Sequence, residues 1–517
     1  MAGTDASSLN KIIALIRSDL TNSQGDKSIL ECGSPALYLL PQHPDMCLQL
    51  AHQKLLCVPY KDVKECWRRL YTDAALWKVV AVLEKQEISG DGSKELEGAG
   101  QELKEQDDWI TEVVKIIDMA LILTGAPLRE DLVVDVLDAL KGVIAEQTDG
   151  PKRPFKRQRL DTEHPASLRA SGYPLVFPST IRLTPKLRFP IPRINNMSLE
   201  EFQTRILNPE TQTPIIITGA IDHWPALESR SWSNPAYLLS HTLNGRRLVP
   251  VEIGRSYTDH GWGQKILSFG EFMRDYMFDS RSDNDRKSGI PDALTTSNTS
   301  RHPPSKSSRS QTGYLAQHDL FTQIPSLRND ISIPDYCYCE PPSSHPPYPS
   351  QSSPSMPAVS KLDIPLLNAW FGPSGTISPL HTDPYHNILA QVVGFKYVRL
   401  YPPGQTEFLH PRGLEENGVD MSNTSQIDLD EAMHLFPRLS PFRREGGGGS
   451  LTNHEEWEMG EGEEGEQIAF EEQFPGFRNA IYVEGMLAPG ECLYIPEKWW
   501  HYVRSLSPSF SVSFWFN

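Results

Sequence analysis

The strongest constraint on this fold is a set of three residues. His381 and Asp383 lie in Ile377-Ser-Pro-Leu-His-Thr-Asp-Pro-Tyr-His-Asn387, and His501 follows Trp499 and Trp500 near the end of the sequence. Two imidazoles and one carboxylate on one face of a metal leave coordination positions open, which is the ligand set of non-haem Fe(II) oxygenases. The close pair defines one edge of such a site, so the third ligand must come from a distant strand. The segment Pro489 to Trp500 reads as a strand that ends at Pro496 and turns, letting His501 face back into a barrel mouth. The plain alternative for His501 is a member of an aromatic cluster. A second pair, His43-Pro-Asp45, has no matching surroundings and is assigned no function.

The rest of the C-terminal half suits such a barrel. Pro214 to Thr218 reads as a buried strand. Leu389 to Val393, the turn at Gly394-Phe395, and Lys396 to Tyr401 read as strand, turn, strand. Phe510 to Phe516 alternates apolar and small residues, as in a final strand packed on one face. Many short strands with little helix between them suggest a sandwich or barrel. Residues 1–148 differ. Ile110, Val113, Ile117 and Leu121 recur at helical spacing, Leu132 to Ile144 repeats the pattern after Pro127, and Tyr60 to Gln86 is a further long helix candidate. The expected organisation is a helical domain at 1–148, a basic linker at 149–184 and a β-rich domain at 185–517.

A chain of 517 residues exceeds one ordinary domain. Its 43 prolines gather with serine and glycine in segments expected to be flexible insertions, at 279–312, 341–360 and 443–473. The last is strongly acidic and reads as a solvated spacer, with a lure for basic substrates as the alternative. A net charge of −17 argues against direct sequence-specific nucleic-acid binding, which needs a basic footprint. It leaves room for a basic protein substrate. The seven scattered cysteines form no CxxC, and no long apolar run opens the chain, so neither a disulfide framework nor a membrane segment is expected. Pro151-Lys-Arg-Pro-Phe-Lys-Arg-Gln-Arg159 carries five cations in nine residues. It points to the nucleus, with the cytoplasm as a second compartment.

An Fe(II) oxygenase needs an electron source at each turnover. A 2-oxo acid supplies two electrons by decarboxylation, and its far carboxylate needs a cation and hydroxyl donors in an apolar pocket. Lys396 opens the strand after the Gly394 turn, and Ser378 and Asn387 stand near the metal-ligand candidates. An edge-strand lysine facing solvent is the alternative for Lys396.

Several strings carry a family resemblance. They include Asp222-His-Trp-Pro225, Pro250-Val-Glu-Ile-Gly254, Gly313-Tyr-Leu-Ala-Gln-His318, Asn368-Ala-Trp-Phe-Gly-Pro373, Gly375-Thr-Ile-Ser-Pro-Leu-His381 and Trp500-His-Tyr-Val-Arg504. From about Pro192 to Asn517 the chain resembles the JmjC-domain Fe(II)/2-oxoglutarate oxygenases. The resemblance implies an α+β protein, with a cupin-like, jelly-roll double-stranded β-helix after the helical domain. It implies Fe(II) on His381, Asp383 and His501, and dioxygen as oxidant. It implies the distal carboxylate of 2-oxoglutarate on Lys396 and Tyr314, with Ser378 and Asn387 completing that pocket. Glu252 and Trp370 match residues that line an arginine pocket in the resembling hydroxylases, and Trp262 joins them as a candidate. The expected activity is hydroxylation of arginine in a protein or peptide. Demethylation of histone methyl-lysine, at H3 lysine 36, is the alternative, and a catalytically silent JmjC binding module is the third reading.

Overall fold

The computed structural model describes residues 5–21, 27–92, 108–148, 173–181, 183–259, 261–278, 312–342, 361–415, 418–442 and 461–517. The chain forms two compact units. One comprises Met1–Tyr173 with Leu239–Val249 and Ser268–Gly270, and the other Pro174–Leu238, Pro250–Leu267 and Glu271–Asn517. The helical unit is therefore not one contiguous segment. The β-rich unit begins before the expected residue 185, because Phe177 is buried, stacks on Phe278, and donates its N–H to Ser233 O at 2.9 Å. The basic run at 151–159 lies outside the described residues, as do 279–311, 343–360 and 443–460.

Among the described residues the first unit contains α1 (Asp5–Thr21), α2 (Ser34–Leu39), α3 (Pro44–Leu56), α4 (Glu65–Gly92), α5 (Asp108–Thr124) and α6 (Glu130–Thr148). The spacing on α5 works as expected, since Ile110, Val113 and Ile117 are buried in one core with Val136 and Leu140 of α6. The turn between them is longer than Pro127 suggested. Ala126 and Leu128 both take positive φ, and α6 starts only at Glu130. The long helix α4 starts at Glu65 rather than Tyr60, which sits in a separate single turn, Tyr60–Asp62. Asp45 is paired with Lys78 at 2.7 Å, an ordinary surface contact. No helix among the described residues is long and apolar enough to cross a membrane.

The second unit is built on strands, thirteen among the described residues, of which two run at one end into the first unit's segments. They are β1 (Arg193–Asn195), β2 (Ile215–Thr218), β3 (Leu248–Ile253), β4 (Gly263–Ser268), β5 (Gly313–His318), β6 (Leu366–Gly372) and β7 (Ile377–His381), followed by β8 (His386–Val393), β9 (Lys396–Tyr401), β10 (Val483–Leu487), β11 (Cys492–Ile495), β12 (Trp500–Ser505) and β13 (Ser509–Phe516). The large sheet runs β1-β2-β11-β8-β13-β6-β5-β3-β4 and the small sheet β10-β9-β12-β7. Ile216, Leu389 and Leu493 of the large sheet meet Val398, Leu400 and Val503 of the small one in a shared core. Burial of each such side chain stabilises the fold by roughly 1.5–3 kcal/mol.

The outer face of the small sheet is also covered. Tyr397, Tyr401 and Tyr502 pack against Leu429 and Met433 of α7 (Leu429–Leu435) and Phe470 of α8 (Glu461–Gln473). This corrects, for its part at 461–473, the expectation of a flexible insertion over 443–473. Its last part is helical because Phe470 and Phe474 have an apolar face to bury into.

Two further differences concern strands. β8 and β9 follow each other around Gly394 but do not pair, because they belong to opposite sheets. Gly394 takes φ of 71°, and a Cβ there would stand 2.0 Å from Pro508 O. β13 is not packed on one face. It is a central strand, with Ser511 and Ser513 fully buried. Their hydroxyls are satisfied sideways: Ser511 donates to Gln391 Oε1 at 2.7 Å, and Ser513 accepts from Trp370 Nε1 at 2.9 Å.

Gly394→Ala is expected to cost at least about 2 kcal/mol of stability, from the backbone conformation and the clash together. Urea unfolding of the two proteins measures this, and an unchanged midpoint would contradict it.

Candidate functional site

His381 ends β7, and His501 lies directly opposite it on β12 in an antiparallel pair. That pairing joins two residues far apart in sequence. The register shifts between His501 and Val503, a bulge of the kind that re-aims side chains beside functional sites. Asp383 follows in the turn after β7, where Thr382 N–H donates to Asn423 O at 2.8 Å and Asp383 O accepts from Lys498 N–H at 3.0 Å. One ligand-capable atom from each of His381, Asp383 and His501 falls within a 4.8 Å cluster.

The hydrogen bonds set the imidazole tautomers. His381 Nδ1 lies 2.7 Å from Pro379 O and His501 Nδ1 lies 2.9 Å from Trp499 O. A carbonyl only accepts, so each Nδ1 carries the proton and each Nε2 presents its lone pair. Both Nε2 atoms face Asp383, at 4.0 Å for His381 and 3.5 Å for His501. Burial, and then the neighbouring His501, push His381 down to about 4, so it is neutral near pH 7. Burial works to raise Asp383, but its interactions with His501 and His381 outweigh it and hold the carboxyl below its usual range. Two imidazoles with Nε2 turned inward and an ionised carboxylate fit a divalent metal.

The same cavity is lined by Tyr314, Ser378, Asn387, Lys396 and Trp370. Alternation along β9 sends Lys396, Val398 and Leu400 inward. Lys396 is buried, so the alternative of a solvent-facing edge lysine fails. Its ammonium donates to Tyr314 Oη at 3.2 Å, and burial alone lowers its pKa to about 7. Tyr314 is also hydrogen-bonded with Ser378. Asn387 Oδ1 is buried without a hydrogen-bond partner. An unpaired buried cation beside hydroxyls and an unsatisfied amide fits a carboxylate ligand better than it fits a structural role.

Glu252 and Trp262 do not line that cavity. Glu252 on β3 lies opposite Tyr314 on β5, and its carboxylate accepts from Trp262 Nε1 at 3.3 Å. Burial raises its pKa, and the Trp262 hydrogen bond only partly opposes this. Tyr257 had no signal in the sequence. Its hydroxyl lies 3.5 Å from Thr424 Oγ1, burial pushes it up to about 12, and both Asp383 and Glu252 act on it electrostatically. Only the tertiary fold links that tyrosine to both groups.

Residues 200–517 match the Cupin-like domain family. The chain is 30% identical to Lysine-specific demethylase 8 of Danio rerio, over 92% of this chain and 87% of that protein. It is 33% identical to Lysine-specific demethylase JMJ30 of Arabidopsis thaliana, over 78% and 75% of the two chains. Identity is also 33% to Jumonji C domain-containing protein 5 of Drosophila melanogaster, over 76% of each. The chain belongs to the cupin-like JmjC oxygenases. It is a 2-oxoglutarate-dependent oxygenase whose reaction uses Fe(II), 2-oxoglutarate and dioxygen.

The depressed pKa of Lys396 makes a stability prediction with a definite sign. A lysine titrating near 7 when folded and at 10.5 when unfolded holds fewer protons in the folded state between those values, so stability rises with pH across that window. Without ligand, Lys396→Met should be more stable than the parent at pH 7, with the gain shrinking toward pH 10.5. Urea titrations at both ends check this, and a less stable variant at pH 7 would contradict an uncompensated buried lysine.

Proposed function

We propose that this oxygenase hydroxylates arginine side chains of protein substrates. The observation that carries the reading is Glu252. It is a half-buried carboxylate, held by the Trp262 indole and close to Tyr257 and Tyr314, and it forms no ion pair among the described residues. A guanidinium is the group that suits it, since it offers a planar fork of donors for the carboxylate and a face for aromatic rings. Trp370, 6.1 Å from Tyr314 between ring centroids, is the proposed aromatic wall on the cavity side. The net charge of −17 favours a basic substrate through long-range attraction.

In this reading His381, Asp383 and His501 hold the iron. Lys396 and Tyr314 hold the distal carboxylate of 2-oxoglutarate, with Ser378 and Asn387 completing its cradle. Bound iron, with 2-oxoglutarate as the two-electron reductant, supplies the activation of dioxygen. One oxygen atom goes into succinate and the other into the substrate C–H bond, with release of carbon dioxide. The protein's own work is to fix both imidazole tautomers, to keep a cation dry for the carboxylate, and to aim the substrate. The basic run Pro151 to Arg159 supports action in the nucleus.

Demethylation of a histone methyl-lysine is the second reading, favoured by the names of the Danio rerio and Arabidopsis thaliana relatives. Mass spectrometry of arginine peptides and methyl-lysine histone peptides separates the two. A gain of one oxygen on arginine is expected. Loss of a methyl group with formaldehyde release would replace the arginine reading.

Two further outcomes are expected. Glu252→Ala should lower arginine-peptide turnover by about 100-fold while leaving uncoupled 2-oxoglutarate decay close to normal. Equal loss of both would make Glu252 structural. Calorimetry of 2-oxoglutarate binding should find proton uptake above about pH 7, with affinity falling as pH rises, because the carboxylate binds protonated Lys396. A pH-independent affinity would remove Lys396 from the cosubstrate site.

A further inference from the structure

The small sheet has a second polar centre on its outer face. There, Glu484 of β10 accepts from Tyr397 Oη at 2.5 Å and from Arg399 Nη2 at 3.2 Å, and both donors lie on β9. The other carboxylate oxygen accepts from Arg188 N–H at 2.6 Å. Arg399 Nη2 also donates to Leu439 O at 2.6 Å, while its Nη1 is buried without a partner. Beside this cluster opens a cavity of about 190 Å³, lined by Lys186, Arg188, Arg438, Ser440, Tyr482 and Glu484 among others. The space at the metal site is about 20 Å³ by the same measure. The larger space holds roughly ten waters, or a compact molecule with several polar atoms.

Three cations converge on this cavity, and none forms an ion pair among the described residues. That is unusual in a chain carrying a net charge of −17. The only carboxylate in the lining, Glu484, is already engaged on both oxygens. The walls are fastened to each other: Lys186 N–H donates to Pro441 O at 2.8 Å, and Arg188 Nη1 to Arg438 O at 3.3 Å. We propose that this cavity is a binding site for a small oxyanion, separate from the catalytic cavity. Two arginine forks and an ammonium suit phosphate or paired carboxylates, which are bound through charge-assisted hydrogen bonds. Through Glu484 the site adjoins Tyr397 and Arg399 of β9, which alternate with Lys396 and so face away from the catalytic cavity.

Calorimetric titration of the full-length protein with inorganic phosphate, and separately with malonate, tests the assignment. Saturable binding of at least one anion is expected. It should weaken by about tenfold or more in the Arg188→Ala/Arg438→Ala double variant and persist in Lys396→Ala. Both arginines are exposed, so the double variant should fold, and its circular dichroism should match the parent. Binding of phosphate alone would assign a phosphate-bearing ligand, and of malonate alone a carboxylate-bearing one. Absence of saturable binding for both anions would overturn the proposal. So would binding that ignores the double variant, or binding abolished by Lys396→Ala, which would belong to the catalytic cavity.

Discussion

Everything at the catalytic cavity depends on the antiparallel pairing of β12 with β7. Backbone hydrogen bonds set His501 opposite His381, and the turn after β7 adds Asp383. A slip of one residue would turn His501 to the outer face, among Trp500 and Tyr502, and bring an aromatic ring inward. The pairing is held from several sides. β9 lies along the other edge of β12, and the two sheets bury a common apolar core. Gly394 lets the chain cross from one sheet to the other where no side chain fits.

The small sheet sorts polar groups by face. Outward, Arg399, Glu484 and Tyr397 form a mutually bonded cluster under aromatic cover. Inward, Lys396 has a hydroxyl partner but no counter-charge among the described residues, and Asn387 Oδ1, facing it from β8 of the large sheet, has no partner among them. Leaving buried polar groups under-satisfied costs stability, so a dry ammonium and an unsatisfied amide sharing one cavity suit a ligand site better than a scaffold. Glu252 follows the same logic at the proposed substrate end, being half-buried, bound by one indole and without a cation among the described residues. In the proposed function, Lys396 and Glu252 are charges of opposite sign meant for ligands of opposite sign.

How much was legible in the sequence depended on the range of each signal. The His381-Thr-Asp383 pair, the distant His501 and the strings around them identified the chemistry, because metal ligation restricts residue type at each position. Helical spacing exposed the buried stripe of α5, since a period repeats within a few residues. The serines of β13 misled, because alternation alone does not say whether the small residues face water or a second layer. Phe470 and Phe474 were hidden in an acidic run whose composition resembles a linker.

The sequence by itself determined the candidate metal-binding residues, the α+β class and the family. Tertiary structure alone decided that two histidines stand face to face, that Lys396 is dry, that Tyr257 lies under the influence of both Asp383 and Glu252, and that three cations share an outer cavity. The physical reason is one of distance along the chain. Local periodicity and residue chemistry are written within a few positions. The partner of a strand, the burial of a charge and the meeting of remote loops follow only from how the sheets pack.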